Sequence, residues 1–187
     1  MINNFEQIKN LLHFENEDIF YHLQILKRKK ENPEIGRNSY LIKTYYVTSN
    51  EYLDKVKDEI INLCDFNKAR AYINLNPRSF EKTAFNTLKK ISDIIMNKDY
   101  KSVRKAYESV CGDIGIGKDK KWIIDIDDNN EVSPLMLAFI EHKCNPPGDK
   151  YITSIPTKNG IHIITKPFDK NTFSKEYPSI DIQTNNP

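Results

Sequence analysis

The sequence predicts a mixed α/β (α+β) chain: an N-terminal α/β unit over residues 1–118 packed on a β-α-β-β-α-β unit over residues 119–187, together one compact domain. Three observations predict it. In the first half, aromatic and β-branched runs are each followed by a serine and a stretch of three- and four-residue apolar spacing. In the second half, short alternating runs bracket two short helical stretches, an order that gives the ferredoxin-like or RNA-recognition-motif topology. No linker rich in Pro, Gly or Ser divides the two.

Residues 5–30 read as helical, in two helices broken near Asn16, because Ile8, Leu11, Leu12, Ile19, Phe20, Leu23 and Leu26 recur at three- and four-residue steps. The stretch around Pro33 and Gly36 is a loop. Residues 40–48 (YLIKTYYVT) read as a strand, and Ser49 stands where the N-cap of a helix over residues 51–63 belongs. Residues 70–75 (RAYINL) form the next strand. Ser79 then opens a long helix through Met96 that carries Phe85, Leu88, Ile91 and Ile95 on one face, expected to face the core. A helix over residues 101–110 ends in a glycine-containing loop.

In the second half, residues 121–127 (KWIIDID), 151–156, 161–165 and 179–183 read as strands, and residues 133–142 and 171–175 as helices. Thr157, Lys158, Asn159 and Gly160 join the two middle strands, with Asn-Gly as the hairpin signal.

At 187 residues, 39% hydrophobic and 29% charged, the chain suits a soluble globular domain with one sizeable core. Its 28 basic and 26 acidic residues nearly cancel, so any affinity for nucleic acid must come from local patches such as residues 27–30 or Lys118, Lys120 and Lys121. Cys64, Cys111 and Cys144 fit neither a disulfide framework nor a zinc pattern and read as free thiols. No signal region and no apolar run long enough to span a membrane appears, so the expected location is cytoplasmic. The abundance of Asn, Lys, Ile and Tyr suggests an AT-rich bacterial or viral genome.

The chemistry concentrates in the second half. On the strand Trp122-Ile-Ile-Asp-Ile-Asp127, Ile124 and Ile126 point one way and Asp125 and Asp127 the other, about 7 Å apart. Two carboxylates so placed repel unless solvated or bridged by a cation. Ser179-Ile-Asp-Ile-Gln183 repeats the grammar with Asp181. Carboxylates sharing an open sheet face are hard oxygen donors, suited to Mg²⁺ or Mn²⁺ rather than zinc. His162 faces away from Ile161 and Ile163, toward the same polar side. Thr157, Lys158 and Gly160 lie in the turn before it, where exposed amides and a positive charge suit phosphate.

These elements together, D-I-D, then T-K-N-G-I-H-I-I, then I-D-I, resemble the three motifs of the archaeo-eukaryotic primase (primase-polymerase) superfamily. The resemblance implies a nucleotidyltransferase that joins nucleoside triphosphates to a 3′-hydroxyl on a single-stranded DNA template. Asp125, Asp127 and Asp181 would be its catalytic acids and hold two metal ions, Mg²⁺ or Mn²⁺. His162, Lys158, Gly160 and Thr157 would meet the incoming nucleotide, Thr157 standing in for the serine many members carry where this chain has Gly160. A helicase or another replication protein would be a partner, and a phage or plasmid a typical host of the gene. The same acids would also serve a metal-dependent nuclease, and the same fold a protein that binds nucleotides without polymerising them.

Two further features complete the reading. Arg70, Tyr72 and Asn74 share one strand face, and with Arg78 they suggest a nucleic-acid contact, Tyr72 by stacking and the arginines on phosphate. Gly112 to Lys118 matches G-x4-G-K, but Asp119 follows where Ser or Thr is needed and the stretch runs from helix to strand, so it is no phosphate loop.

Overall fold

The computed structural model describes residues 2–113, 120–127 and 133–184. Among them are six α-helices and two four-stranded antiparallel sheets. The chain forms two compact units, Lys9–Ile116 and the combination of Met1–Ile8 with Gly117–Pro187. The first residues therefore join the C-terminal unit rather than the N-terminal half, and Asn4 Nδ2 donates to the Pro156 carbonyl at 2.8 Å.

In the unit Lys9–Ile116 the central strand is β1 (Ile19–Arg28), flanked by β2 (Ser39–Val47) on one side and by β3 (Arg70–Ile73) and β4 (Arg78–Ser79) on the other. Residues 5–30 are thus not a pair of helices; only α1 (Phe5–Lys9) is helical. The reason is burial on both faces. Ile19, Phe20, Tyr21, His22 and Leu23 are all buried, so a run buried at every position replaces the alternation that marks a half-buried strand.

Helix α2 (Asn50–Asn67) starts where Ser49 accepts a hydrogen bond from the Tyr52 amide at 3.0 Å, as its capping residue type dictates. It buries Leu53, Val56, Ile60 and Cys64 at helical steps and ends at Lys68 in the left-handed region. Ser79 likewise caps α3 (Phe80–Met96) by accepting from the Lys82 amide. The expected core face of α3 is a correction: only Thr83 of this helix is buried, and Phe85, Leu88 and Ile95 are exposed. A 3-10 turn (Tyr100–Lys105) and α4 (Ala106–Asp113) follow in place of a single helix.

The second unit runs β5 (Trp122–Asp127), α5 (Pro134–His142), β6 (Tyr151–Pro156), β7 (Gly160–Thr165), α6 (Lys170–Glu176), β8 (Asp181–Gln183). Its strands lie in the order β6-β7-β5-β8, all neighbours antiparallel. Ile124, Ile126 and Ile163 from the sheet form its core with Met136 and Ile140 of α5 and Phe173 of α6. That packing commits one face of β5 to the interior and leaves Asp125 and Asp127 on the other. Among the described residues no helix is long and apolar enough to cross a membrane. The G-x4-G-K stretch from Ile114 onward, with Lys118, and the acidic loop after Asp127 fall outside the described residues.

Candidate functional site

Register places the acids and the histidine together. Asp125 on β5 pairs directly with His162 on β7 and, on its other side, with Asp181 on β8. Paired residues share a sheet face, so three strands about 4.8 Å apart present Asp181, Asp125 and His162 in one row. Asp127 lies one pleat further along β5, opposite Gly160.

His162 Nε2 is 3.3 Å from Asp125 Oδ1, with both side chains about one-third exposed, at 33% and 30%. Burial holds the His162 imidazole below the usual histidine range, while Asp125 and then Asp127 pull the other way. A largely neutral ring with Nε2–H toward Asp125 leaves Nδ1 as an acceptor. Asp127 and Asp181 are exposed. The Asp125–Asp181 pair sets two carboxylates directly opposite each other, an arrangement that is destabilising until something positive intervenes.

The turn differs from the expectation. Thr157 N–H donates to the Gly160 carbonyl at 2.8 Å, so Lys158 and Asn159 occupy the centre and Gly160 is the first residue of β7. Gly160 does not take a left-handed φ; its role is steric. A Cβ built there would sit 1.9 Å from the Ile126 carbonyl oxygen and 3.2 Å from the Asp127 Cα. The close backbone approach that a glycine permits is thus made toward β5, beside Asp127. Lys158 is exposed and Thr157 half-buried, both next to the row of ionisable side chains in sequence and strand position.

No protein-family model matches this chain, and no curated protein or solved structure matches it either. The site stands on its own geometry.

The residues expected to touch nucleic acid lie in the unit Lys9–Ile116, and the structure gives each a partner within that unit. Arg78 is a correction: at 1% exposure it donates from Nε to the Cys111 carbonyl at 2.8 Å and from Nη1 to the Asn76 carbonyl at 2.7 Å. The sequence could not show this, since an arginine directly after Asn76-Pro77 reads as solvent-facing until the β1–β4 pairing draws it inside. Arg70 pairs with Glu31, and the Arg28 guanidinium lies 6.0 Å from the centre of the Tyr72 ring.

Sequence reasoning also missed a part-buried polar network in that unit, built around the buried His22. Glu108 accepts from the Tyr46 hydroxyl at 2.6 Å and the Thr44 hydroxyl at 3.3 Å, and lies 3.2 Å from His22 Nε2. Burial depresses the His22 imidazole, and burial together with Glu108 pushes the Tyr46 phenol far up. Cys111 beside it is raised to about 11, first by burial and then by Glu108. No motif announces these residues, because they come together only through β1, which reads as helix, and α4.

Proposed function

We propose that the chain is a metal-dependent nucleotidyltransferase of primase or primase-polymerase type, extending a 3′-hydroxyl on a nucleic-acid template from nucleoside triphosphates. One observation carries the reading: Asp125 stands in register between Asp181 and His162 on adjacent strands of one sheet face. The strand order β6-β7-β5-β8, with elements in the order β-α-β-β-α-β, supports it as the arrangement expected of a ferredoxin-like catalytic half.

The donor set fits Mg²⁺ or Mn²⁺. Among the described residues no three His, Cys, Asp or Glu side chains gather closely enough to enclose an ion by themselves. Mg²⁺ does not require that, because it keeps several waters and takes one or two carboxylates plus substrate phosphate oxygens. Asp125 and Asp127 on one face of β5, and Asp181 opposite Asp125, would hold such ions. Bound there, the metal supplies Lewis-acid activation of the attacking hydroxyl and offsets charge on the leaving pyrophosphate.

The chain's own residues orient the reactants. Asp125 holds the His162 ring by its Nε2 side, and the ring meets a phosphate oxygen through Nδ1–H as the doubly protonated imidazolium, the form that the Asp125 and Asp127 carboxylates favour. Lys158 at the centre of the turn brings a positive charge to the same edge, and the Thr157 hydroxyl adds a donor. Gly160 keeps β7 tight against β5, which sets the spacing between His162 and the acids.

The test is primer synthesis and extension by the purified chain with Mn²⁺ or Mg²⁺, triphosphates and single-stranded DNA. Product is expected, and Asp125→Ala is expected to lower its rate by about 10³-fold or more. Triphosphate binding without product, or loss of the labelled strand instead of its extension, would replace the proposal with a binding protein or a nuclease.

A further inference from the structure

Helix α3 is turned inside out. Its inward side carries Thr83, Asn86, Thr87, Lys90, Ile91 and Ile94, with Lys90 bonded to Ser109 of α4. Its outward side carries Phe85 (65% exposed), Leu88 (65%), Ile95 (49%) and Met96 (76%). At about 100° per residue these four, with Ser92, form one continuous stripe. Together they expose a few hundred Å² of apolar surface on one helix, the size at which a patch usually has a partner.

We infer that this stripe pairs with the same stripe of a second copy of the chain, α3 lying antiparallel on α3 across a two-fold axis. The charges argue for it. Lys89 and Asp93 are exposed on the same flank of the stripe. With the axis passing the helix near Ile91, Phe85 meets the partner's Met96, Leu88 meets the partner's Ile95, and Lys89 meets the partner's Asp93. Two-fold symmetry makes each of these contacts twice. Lys82 falls opposite Tyr100, so no like charges face each other. A parallel pairing would instead turn the flank of Lys82, Lys89 and Asp93 toward the partner's opposite flank, where Ala84 and Ile91 stand, and would lose the Lys89–Asp93 contact. A single-stranded nucleic acid fits less well, because Leu88, Ile95 and Met96 offer no stacking surface and Glu81, Asp93 and Asp99 offset the positive charge of Lys82 and Lys89. A helix of 17 residues spans only about 26 Å, so the interface is at the small end and the dimer should be concentration-dependent.

Sedimentation equilibrium of the full chain from about 1 to 200 μM provides the test, a range that brackets the weak association expected of a small interface. A reversible monomer–dimer equilibrium is expected. Lys89→Glu and Asp93→Lys should each weaken it by about tenfold or more, since each sets like charges across the axis. An equimolar mixture of the two variants should recover the wild-type association, because a heterodimer of one with the other again sets a carboxylate against an ammonium at both symmetry-related contacts. Recovery on mixing cannot come from misfolding. A wild-type chain that stays monomeric, or a mixture that associates no better than its components, overturns the pairing. Binding of a single-stranded oligonucleotide lost in Leu88→Asp would then assign the stripe to nucleic acid.

Discussion

Gly160→Ala tests whether close strand approach, rather than turn geometry, shapes the site. The added Cβ would lie 1.9 Å from the Ile126 carbonyl oxygen, against an ordinary contact of about 3.4 Å. Backbone on both sides of that contact leaves no side chain to swing away, so β7 must retreat from β5 by about 1.5 Å. Forced shifts of this kind cost about 1–3 kcal/mol. Weakening the β5–β7 ladder where Asp127 meets Gly160 adds about 1 kcal/mol, and the smaller unfolded-state entropy of alanine returns about 0.5 kcal/mol. The net expectation is a loss of about 1.5–3.5 kcal/mol. Urea unfolding followed by fluorescence reads it directly, because Trp122, the single tryptophan, sits on β5. Gly160→Ser carries the same Cβ and should lose as much, even though it restores the serine of the resembled family. Stability within about 0.5 kcal/mol of wild type for both variants, inside the range of an ordinary surface change, would refute the steric argument.

Asp181→Asn removes one of two directly opposed carboxylates, and should stabilise the metal-free protein by a few tenths of a kcal/mol at this exposed position while reducing the upward Tm shift produced by Mn²⁺; an unchanged shift would remove Asp181 from the metal site. Arg78→Ala should cost about 2–4 kcal/mol, because it leaves the Cys111 and Asn76 carbonyls buried without their guanidinium, whereas Arg70→Ala, with its side chain 35% exposed, should cost less than about 1 kcal/mol; both are read by urea unfolding followed by circular dichroism. Burial depresses His22 in the folded state below its usual 6.5. The unfolded chain therefore takes up a proton first, and stability is lost as the pH falls below about 6.5 until the folded value is passed. His22→Gln should flatten the dependence of the urea midpoint on pH between about 7.5 and 5.5, the window in which histidine titrates, and an equally steep profile in the variant would exclude His22 as its source.

What the sequence revealed and what it hid follow from how many faces of each element are buried. Toward the Asp127 end of β5 and the Gly160 end of β7 the strands alternate, so alternation alone separated Ile124 and Ile126 from Asp125 and Asp127 and turned His162 to the acidic side, although Ile123 and Ile164 on that same face are buried. The capping residues Ser49 and Ser79 were equally legible, since their hydroxyls act within three residues of themselves. β1 was illegible for the opposite reason: a strand enclosed on both faces has no period of two, and its apolar residues then fall by chance on helical steps. Gly160 shows a finer limit. Its glycine sits in an Asn-Gly pair and invites a reading as turn chemistry, yet the constraint comes from the Ile126 carbonyl, 34 residues earlier in the chain and visible only once β5 and β7 are paired. The same holds for α3. Phe85, Leu88 and Ile95 of its expected stripe do share a face, with Ile91 turned to the inward side, but a period of 3.6 does not state that this chain's own core will cover that face. For the site itself, spacing along each strand gave the face, and only register gave the order Asp181, Asp125, His162 across it. A shift of one residue in either pairing would send Asp125's neighbours to the buried face, so the chemistry proposed here depends on the register that Gly160 and the buried isoleucines hold.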